Sequence, residues 1–153
     1  MQNLDKGTYY RAVTLSESIR RKFLESIKRE LSNRKITDLS SMQVMILQCI
    51  GERQLTIGEL ANQEFYLGTN VCPAVSKMIK NGYVQRVPFS EDRDGRLSYL
   101  ELTKKGKKFL EGFSDFLDKQ TSQVTEFVDP DDLNKFLFVI RRLDFFLSNS
   151  PRL

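Results

Sequence analysis

Residues 55–106 read LTIGELANQEFYLGTNVCPAVSKMIKNGYVQRVPFSEDRDGRLSYLELTKKG, and the order of patterns in this stretch decides the fold. Thr56 precedes Glu59 by three residues, the spacing of a capping box, at the head of a short helix running through Gln63. Residues 64–68 supply a turn containing glycine. A second helix, over about 69–81, ends at Asn81-Gly82, where glycine takes the left-handed C-terminal conformation without steric cost. Segments 83–89 and 97–102 alternate apolar and polar residues as strands do, around an Asp- and Gly-bearing loop at 90–96. Thr103 then opens another helix. Two short helices joined by a turn can lay the second in a DNA major groove, while an arginine-bearing hairpin tip reaches the adjoining minor groove. The stretch reads as a DNA-binding unit rather than a catalytic one.

Upstream, Tyr9, Val13, Ile19, Phe23, Ile27 and Leu31 recur mostly at intervals of four, which predicts a long amphipathic helix over about 8–32. Residues 33–38 form a polar connector. Ser40 or Ser41 caps the next helix, whose body MQVMILQCI is apolar nearly all round and therefore buried, with Gly51 as its expected stop. Downstream of Thr103, Phe109, Phe113, Phe116, Leu117, Gln120 and Val124 share one side of a helix. Asp129-Pro130 predicts a stop and restart, with Asp129 as N-cap and Pro130 at the first helical position. The last helix, to about 148, carries Leu133, Phe136, Leu137, Phe138, Val139, Ile140, Leu143, Phe145, Phe146 and Leu147. That is too apolar on too many sides for the surface of a monomer. The fold class is thus mostly α with a small β-hairpin wing (α+β), in a single chain of residues 1–153. A winged helix-turn-helix lobe spans 40–102, with its wing at about 83–102. A helical dimerisation lobe is built from the N- and C-terminal helices, 8–32 and 103–148.

Composition narrows the function. Hydrophobic residues make up 40%, enough for a packed core. No apolar run approaches the ~18–20 residues of a membrane span. The N-terminus MQNLDKGTYYRAV lacks the basic-then-apolar layout of a secretory signal, so the expectation is a cytoplasmic protein with no membrane partner. Two cysteines, Cys49 and Cys72, form neither a disulfide framework nor a metal-binding spacing. With no His, the commonest zinc ligand and the commonest general base are both missing. Without a phosphate-cradling glycine loop or a carboxylate pair at an acid–base spacing, neither an enzyme nor a cofactor is expected. The net charge of +4 is unevenly spread. Residues 52–110 hold ten Lys/Arg against seven Asp/Glu, whereas 111–153 hold five against eight. That asymmetry suits a polyanion at one end of the molecule.

Val71, Val75, Met78 and Ile79 lie at i, i+4, i+7 and i+8 and should face the core. Thr69, Asn70, Cys72, Pro73, Ser76, Lys77 and Lys80 then point outward. Asn and Ser can bond base edges or phosphates, and Lys can neutralise phosphates. A merely solvated face could share this composition, but the adjacent wing favours DNA. On the hairpin, Arg86 lies on the first strand, with Arg93 and Arg96 near the tip among Glu91, Asp92 and Asp94. A guanidinium gains from the concentrated negative potential of a narrow minor groove. The plain alternative is a tip kept soluble by mixed charge. Lys104, Lys105, Lys107 and Lys108 read as a solvated helix face with some reach to phosphates. Cys72 has two open roles: a small contact or spacer residue, or a redox-active thiol near a helix N-terminus and Lys77. Cys49 is expected in the core. Tyr9, Tyr10, Phe65, Tyr66 and the Phe-rich last helices serve as core and dimer interface, or else line a cavity for a small aromatic effector.

The order long helix, buried helix, helix-turn-helix, wing and two long helices resembles the MarR family of winged helix-turn-helix transcription regulators over nearly the whole chain. Its most specific stretch runs from the recognition helix through NGYVQR, Asp94-Gly95-Arg96 and LTKKG at 102–106. The resemblance implies a cytoplasmic homodimer on a pseudo-palindromic operator, often controlled by a small molecule or by thiol oxidation. It also implies that Asp94 orients arginines and that Arg96 approaches the minor groove. Pro73 departs from the family, which often has a polar or basic residue there. Lacking an amide hydrogen, proline fits only the first helical turn, and it disfavours the helical conformation at Cys72. The start of the helix, and with it the contact roles of Thr69 and Asn70, therefore stays open. The chain reads as a sequence-specific regulator of double-stranded DNA, by expectation a repressor. Its rival is a winged-helix protein-interaction module without specific DNA binding, favoured by Pro73 and the acidic tip.

Overall fold

The computed structural model describes residues 5–62, 71–89 and 98–150. The elements along them are α1 (Lys6–Asn33), α2 (Ser41–Glu52), α3 (Ile57–Asn62), α4 (Val71–Lys80), β1 (Val84–Pro88), β2 (Ser98–Leu102), α5 (Lys104–Thr125) and α6 (Pro130–Asn149).

Helix α1 starts two residues earlier than its apolar period suggests, because the Asp5 carboxylate accepts from the Gly7 amide at 3.2 Å. It closes with Lys35 N–H donating to Ser32 O and Ile36 N–H to Leu31 O, at 3.0 and 2.9 Å. This is the paired bonding of a left-handed helix cap, and Lys35 adopts φ +57 without the freedom of glycine. Arg34 fastens that end to α5. Its Nε donates to Glu30 at 2.6 Å, its Nη1 donates to the Gly112 carbonyl, and its guanidinium lies 5.2 Å from the Phe113 ring centroid. The hydrogen bond from Arg34 holds the Glu30 carboxyl below the usual carboxylate range.

Of the two candidate caps for α2, the structure selects Ser40, which forms a reciprocal capping box with Gln43. Gln43 is buried yet satisfied: it accepts from the Ser40 amide at 2.9 Å and donates to Ala74 O at 3.2 Å, tying α2 to α4. Gly51 does not end α2, contrary to the sequence reading. It lies inside the helix, where a Cβ would sit 3.0 Å from Leu110 and 3.3 Å from Leu102. Glycine there makes room for α5 rather than supplying a cap. Cys49, expected in the core, is only half-buried at its edge.

The core gathers Ile27 and Leu31 of α1, Val44, Ile46 and Leu47 of α2, and Leu60 of α3. Val71, Val75 and Met78 of α4, Leu100 of β2 and Phe113 of α5 join it, together with Leu39, Ile50, Leu55, Tyr83, Val84 and Leu102. Strands β1 and β2 pair antiparallel, with Val84 opposite Leu102 and Arg86 opposite Leu100. Leu55 adds a bridge on the far side of β2, its carbonyl accepting from Leu100 N–H at 2.7 Å. Tyr83, expected to open the first strand, belongs instead to the turn behind Gly82. Leu97 lies outside the described residues.

Both ends of the chain differ from this middle. Helix α6 buries no residue, and in α1 burial begins only at Ser26. Phe127, Phe145 and Phe146 are 89%, 70% and 65% exposed. The apolar series that predicted two amphipathic arms is present but uncovered within one chain.

One close approach sets the geometry between these parts. A Cβ on Gly106 would stand 2.2 Å from the Tyr83 carbonyl oxygen, whereas one on Gly112 would meet nothing within 4 Å. Gly106→Ala should therefore destabilise the fold by roughly 1–3 kcal/mol through forced displacement of backbone. Gly112→Ala should gain up to about 1 kcal/mol from helix propensity. Urea denaturation compares the two, and equal effects would contradict the packing described.

Candidate nucleic-acid interface

Helix α4 is divided by its own period. Val71, Val75 and Met78 are buried and Ile79 half-buried, while Cys72, Pro73, Ser76, Lys77 and Lys80 are exposed. At 100° per residue those five side chains fall within an arc of roughly 140° opposite the core. Pro73 lies inside the described helix, two residues after Val71, and the residues before Val71 lie outside the description. Cys72 is helical despite preceding proline, so the expected local bias yields to the packing of Val71 and Val75. Thr69, Asn70, Phe65 and Tyr66 lie outside the described residues.

In front of α4, helix α3 is held by the predicted capping box. Thr56 N–H and hydroxyl donate to the Glu59 carboxylate at 2.7 and 2.9 Å, and Glu59 N–H donates back to the hydroxyl at 3.1 Å. These bonds hold the Glu59 carboxyl below its ordinary range. Behind α4, Gly82 takes φ +77, Gly82 N–H donates to Ile79 O at 3.0 Å and Tyr83 N–H to Met78 O at 2.9 Å. The turn predicted from Asn81-Gly82 thus delivers the chain directly into β1. Arg86 projects exposed from that strand. On the strand pair, Gln85 donates to Glu101 at 3.0 Å, and the Phe89 and Tyr99 ring centroids lie 3.7 Å apart. Arg93, Asp94 and Arg96, the proposed minor-groove group, are outside the described residues.

The lysines at the head of α5 do not behave as one solvated face. Lys104, Lys107 and Lys108 are exposed, but Lys105 is engaged. Its Nζ donates to Asn81 O at 2.8 Å and to the Asp38 carboxylate at 3.3 Å, and stands 4.0 Å from the Tyr83 ring centroid. Asp38 also accepts from the Tyr83 hydroxyl at 3.0 and 3.1 Å, and its main-chain oxygen accepts from Asn81 Nδ2 at 2.9 Å. Sequence reasoning missed this group because Asp38 stands 43 residues from Asn81 and 67 from Lys105, with no local signal to join them.

Cys72 is exposed on the outward face of α4, open to oxidant as well as to a partner. Tyr9 and Tyr10 are 38% and 74% exposed, and Tyr10 lines an open groove with Arg11, Thr14 and Leu15. A second open groove of about 540 Å³ lies between α1 and the end of α5, lined by Phe23, Ser26, Gln120 and Phe127. Among the described residues no group of three His, Cys, Asp or Glu could hold a metal ion. No described helix is long and apolar enough to cross a membrane.

No family model matches the chain. Among proteins of known role it is 29% identical over 105 residues to the exopolysaccharide II synthesis transcriptional activator ExpG of Rhizobium meliloti (strain 1021). That match covers 69% of this chain and 53% of the relative, so the chain spans about half of the relative's length. Among solved structures, a MarR/EmrR family transcriptional regulator from Acinetobacter sp. ADP1 has a TM-score of 0.76 at 16% identity, covering 92% of this chain and 97% of that one. S. aureus MepR, solved as a DNA complex, has a TM-score of 0.70 at 17% identity, covering 88% and 96%. The resemblance to the MarR family, drawn from the order of elements over nearly the whole chain, holds in the fold: mostly helical, with a winged helix-turn-helix at its centre.

Burial, then the hydrogen bond to Asp38 and its negative charge, push the Tyr83 hydroxyl from its ordinary 10.0 up to about 12. Below pH 10 both folded and unfolded chains keep this proton, and the stability contributed is whole. As pH rises from 10 toward 12 the unfolded chain loses the proton first, so stability falls by about 1.4 kcal/mol per pH unit. Urea midpoints measured from pH 9 to 12 should decline more steeply for the wild type than for Tyr83→Phe. Parallel curves would remove the tyrosine from the linkage.

Proposed function

We propose that this chain, which has the fold of MarR family transcription regulators, is itself a sequence-specific regulator that binds double-stranded DNA as a homodimer. The observation that carries the proposal is the exposed stripe of α4, backed by core on its opposite side and flanked by the β1–β2 hairpin. Cys72, Pro73 and Ser76 are short, so the helix backbone can approach a groove closely, while Lys77 and Lys80 can meet phosphates. Thr69 and Asn70 extend the stripe in sequence. Arg86, with Arg93 and Arg96 aimed by Asp94, would take the neighbouring minor groove. The rival reading, a protein-interaction module, draws on Pro73 and the acidic hairpin tip, and the lysine-edged stripe on α4 is what favours DNA over it.

Dimerisation is supported by the uncovered arms. A 20-residue helix that buries nothing is marginal by itself in water. Covering large apolar side chains stabilises by about 1.5–3 kcal/mol each. A two-fold interface built from α1 and α6 would cover both arms at once and present two α4 stripes to half-sites about one helical turn apart. A pseudo-palindromic operator follows from that symmetry. In this reading the protein works in the cytoplasm, and a small aromatic effector or oxidation at Cys72 would release it. Repression is the simplest outcome of occupying a promoter. Because the Rhizobium relative is named as an activator, a promoter–reporter fusion must assign the sign.

Selection of bound fragments from a random duplex pool tests the proposal and should return a two-fold symmetric site. On that site Lys77→Ala should weaken binding and reduce the salt slope by about one, and Arg96→Ala should weaken it without loss of fold. Failure to retain any duplex at low salt would favour the interaction module. Sedimentation should show a dimer, and Phe136→Asp on α6 should yield monomers that lose part of their helical signal while their core still unfolds cooperatively. A monomeric wild type would overturn the two-fold reading.

A further inference from the structure

The turn from α4 into β1 is locked to the first turn of α5 by a compact set of contacts. Thr103 N–H donates to Tyr83 O at 3.0 Å, and its hydroxyl donates to Gly82 O at 2.6 Å. Gly106 lies against the same Tyr83 oxygen. Onto this joint Asp38, from the connector between α1 and α2, brings one carboxylate that meets both the Tyr83 hydroxyl and Lys105. Lys105 closes the circuit on Asn81 O, the residue just past the end of α4. We propose that Asp38 and Lys105 are positioning residues whose ion pair sets the angle of α4 relative to α5, and thereby the fit of α4 to DNA. The DNA consequence rests on the function proposed above; the joint itself does not.

Stability is a poor explanation for this pair. Its side chains are 51% and 41% exposed, and ion pairs in that environment add little to folding. Angle is a better one. Helix α4 is ten residues long, so a tilt of ten degrees about its C-terminal end displaces its first turn by roughly 2 Å. A shift of that size breaks hydrogen bonds, whose useful range is about 2.7–3.2 Å. Gly82 at the pivot has no Cβ to resist such a tilt, and a Cβ built there meets nothing within 4 Å. Restraint must come from the contacts around it. Asp38 is the one residue of the α1–α2 connector that bonds to the end of α4, to Tyr83 and to α5 together.

The test uses the full chain in a Cys49→Ala background, with spin labels at Cys72 on α4 and at Asp118→Cys on α5. Labelled chain is diluted with unlabelled chain so that within-chain distances are read. Wild type and Lys105→Arg should give one narrow distance. Asp38→Ala and Lys105→Met should broaden or shift it, and the double variant should do no more than either single. Should Asp38→Ala fail to fold, Asp38→Asn removes the charge while keeping an acceptor for Tyr83. Duplex recovered by the wild type should bind Asp38→Ala and Lys105→Met roughly fivefold more weakly with an unchanged salt slope. Unmoved distances in both variants overturn the proposal. A salt slope reduced by about one in Lys105→Met also overturns it, by making that lysine a phosphate ligand. If the wild type retains no duplex but the distances broaden as described, the joint is upheld and only the DNA reading falls.

Discussion

Helix α5 rests its first turn directly on the main-chain oxygen of Tyr83, and the arrangement of the middle of the molecule follows from that approach. Position 106 carries no side chain, so two backbones meet where any Cβ would intrude. The same oxygen accepts from Thr103, the N-cap of α5, so the end of the hairpin and the start of the helix share one anchor. Because α4 ends three residues before Tyr83, three elements are pinned within a short span of chain. Phe109 and Phe113 are then carried into place along α5. Phe109 meets Tyr83 edge-on at 5.8 Å, and Phe113 sits fully buried between the rings of Phe109 and Phe116. Arg34, reaching from the end of α1 to Gly112 and the Phe113 ring, secures the second turn of this contact.

Beyond Gln120 the physics changes. Up to that point α5 is stabilised by burial against its own chain; after it, the end of α5 is exposed and α6 half-buries only Ile140 and Leu143. Helix α6 nonetheless has good local chemistry: Asp129 caps it, accepting from Asp131 N–H at 2.7 Å, and Pro130 opens it. Capping and propensity set where such a helix begins and ends, but they do not supply the packing that most protein helices need. The middle of the chain could fold on its own contacts, whereas the arms require a further surface.

What the sequence reveals of this fold is what can be written into a few consecutive residues. Ser40 or Ser41, Thr56 with Glu59, Asn81-Gly82, Thr103 and Asp129-Pro130 each mark a boundary, and the structure settles the first choice on Ser40, because capping is decided within one turn. The outward set Cys72, Pro73, Ser76, Lys77 and Lys80 follows from helical period alone once Val71, Val75 and Met78 are placed inside. Gly51 misleads for the opposite reason. A glycine near the end of an apolar run is read as a stop, but its use is decided by Leu110, which arrives only when α5 packs. Lys35 occupies a left-handed position with no glycine to announce it. Lys105 looks like its three neighbouring lysines until Asp38 and Asn81 are brought beside it. Thr69, Asn70, Arg93, Asp94 and Arg96 lie outside the described residues, so their part in the interface rests on sequence.

Charge alone would be a weak argument for the interface, because several charges have local explanations. Asp131 and Asp132 lie in the first turn of α6, where the helix dipole favours anions, so part of the acidity of the C-terminal segment is ordinary helix chemistry. Lys77 and Lys80 lie in the last turn of α4, where the same dipole favours cations. Their presence can therefore be explained without any nucleic acid. The character of their neighbours cannot be explained so simply. A helix face turned only to water has no need of Cys72, Pro73 and Ser76, since longer charged residues have better helix propensity and solubility. Short side chains along the exposed stripe, with lysines beyond them, let a backbone come close to another surface while the edges neutralise negative charge. That combination, set beside the β1–β2 pair and backed by the core, is what supports reading the face as one for contact rather than for water alone.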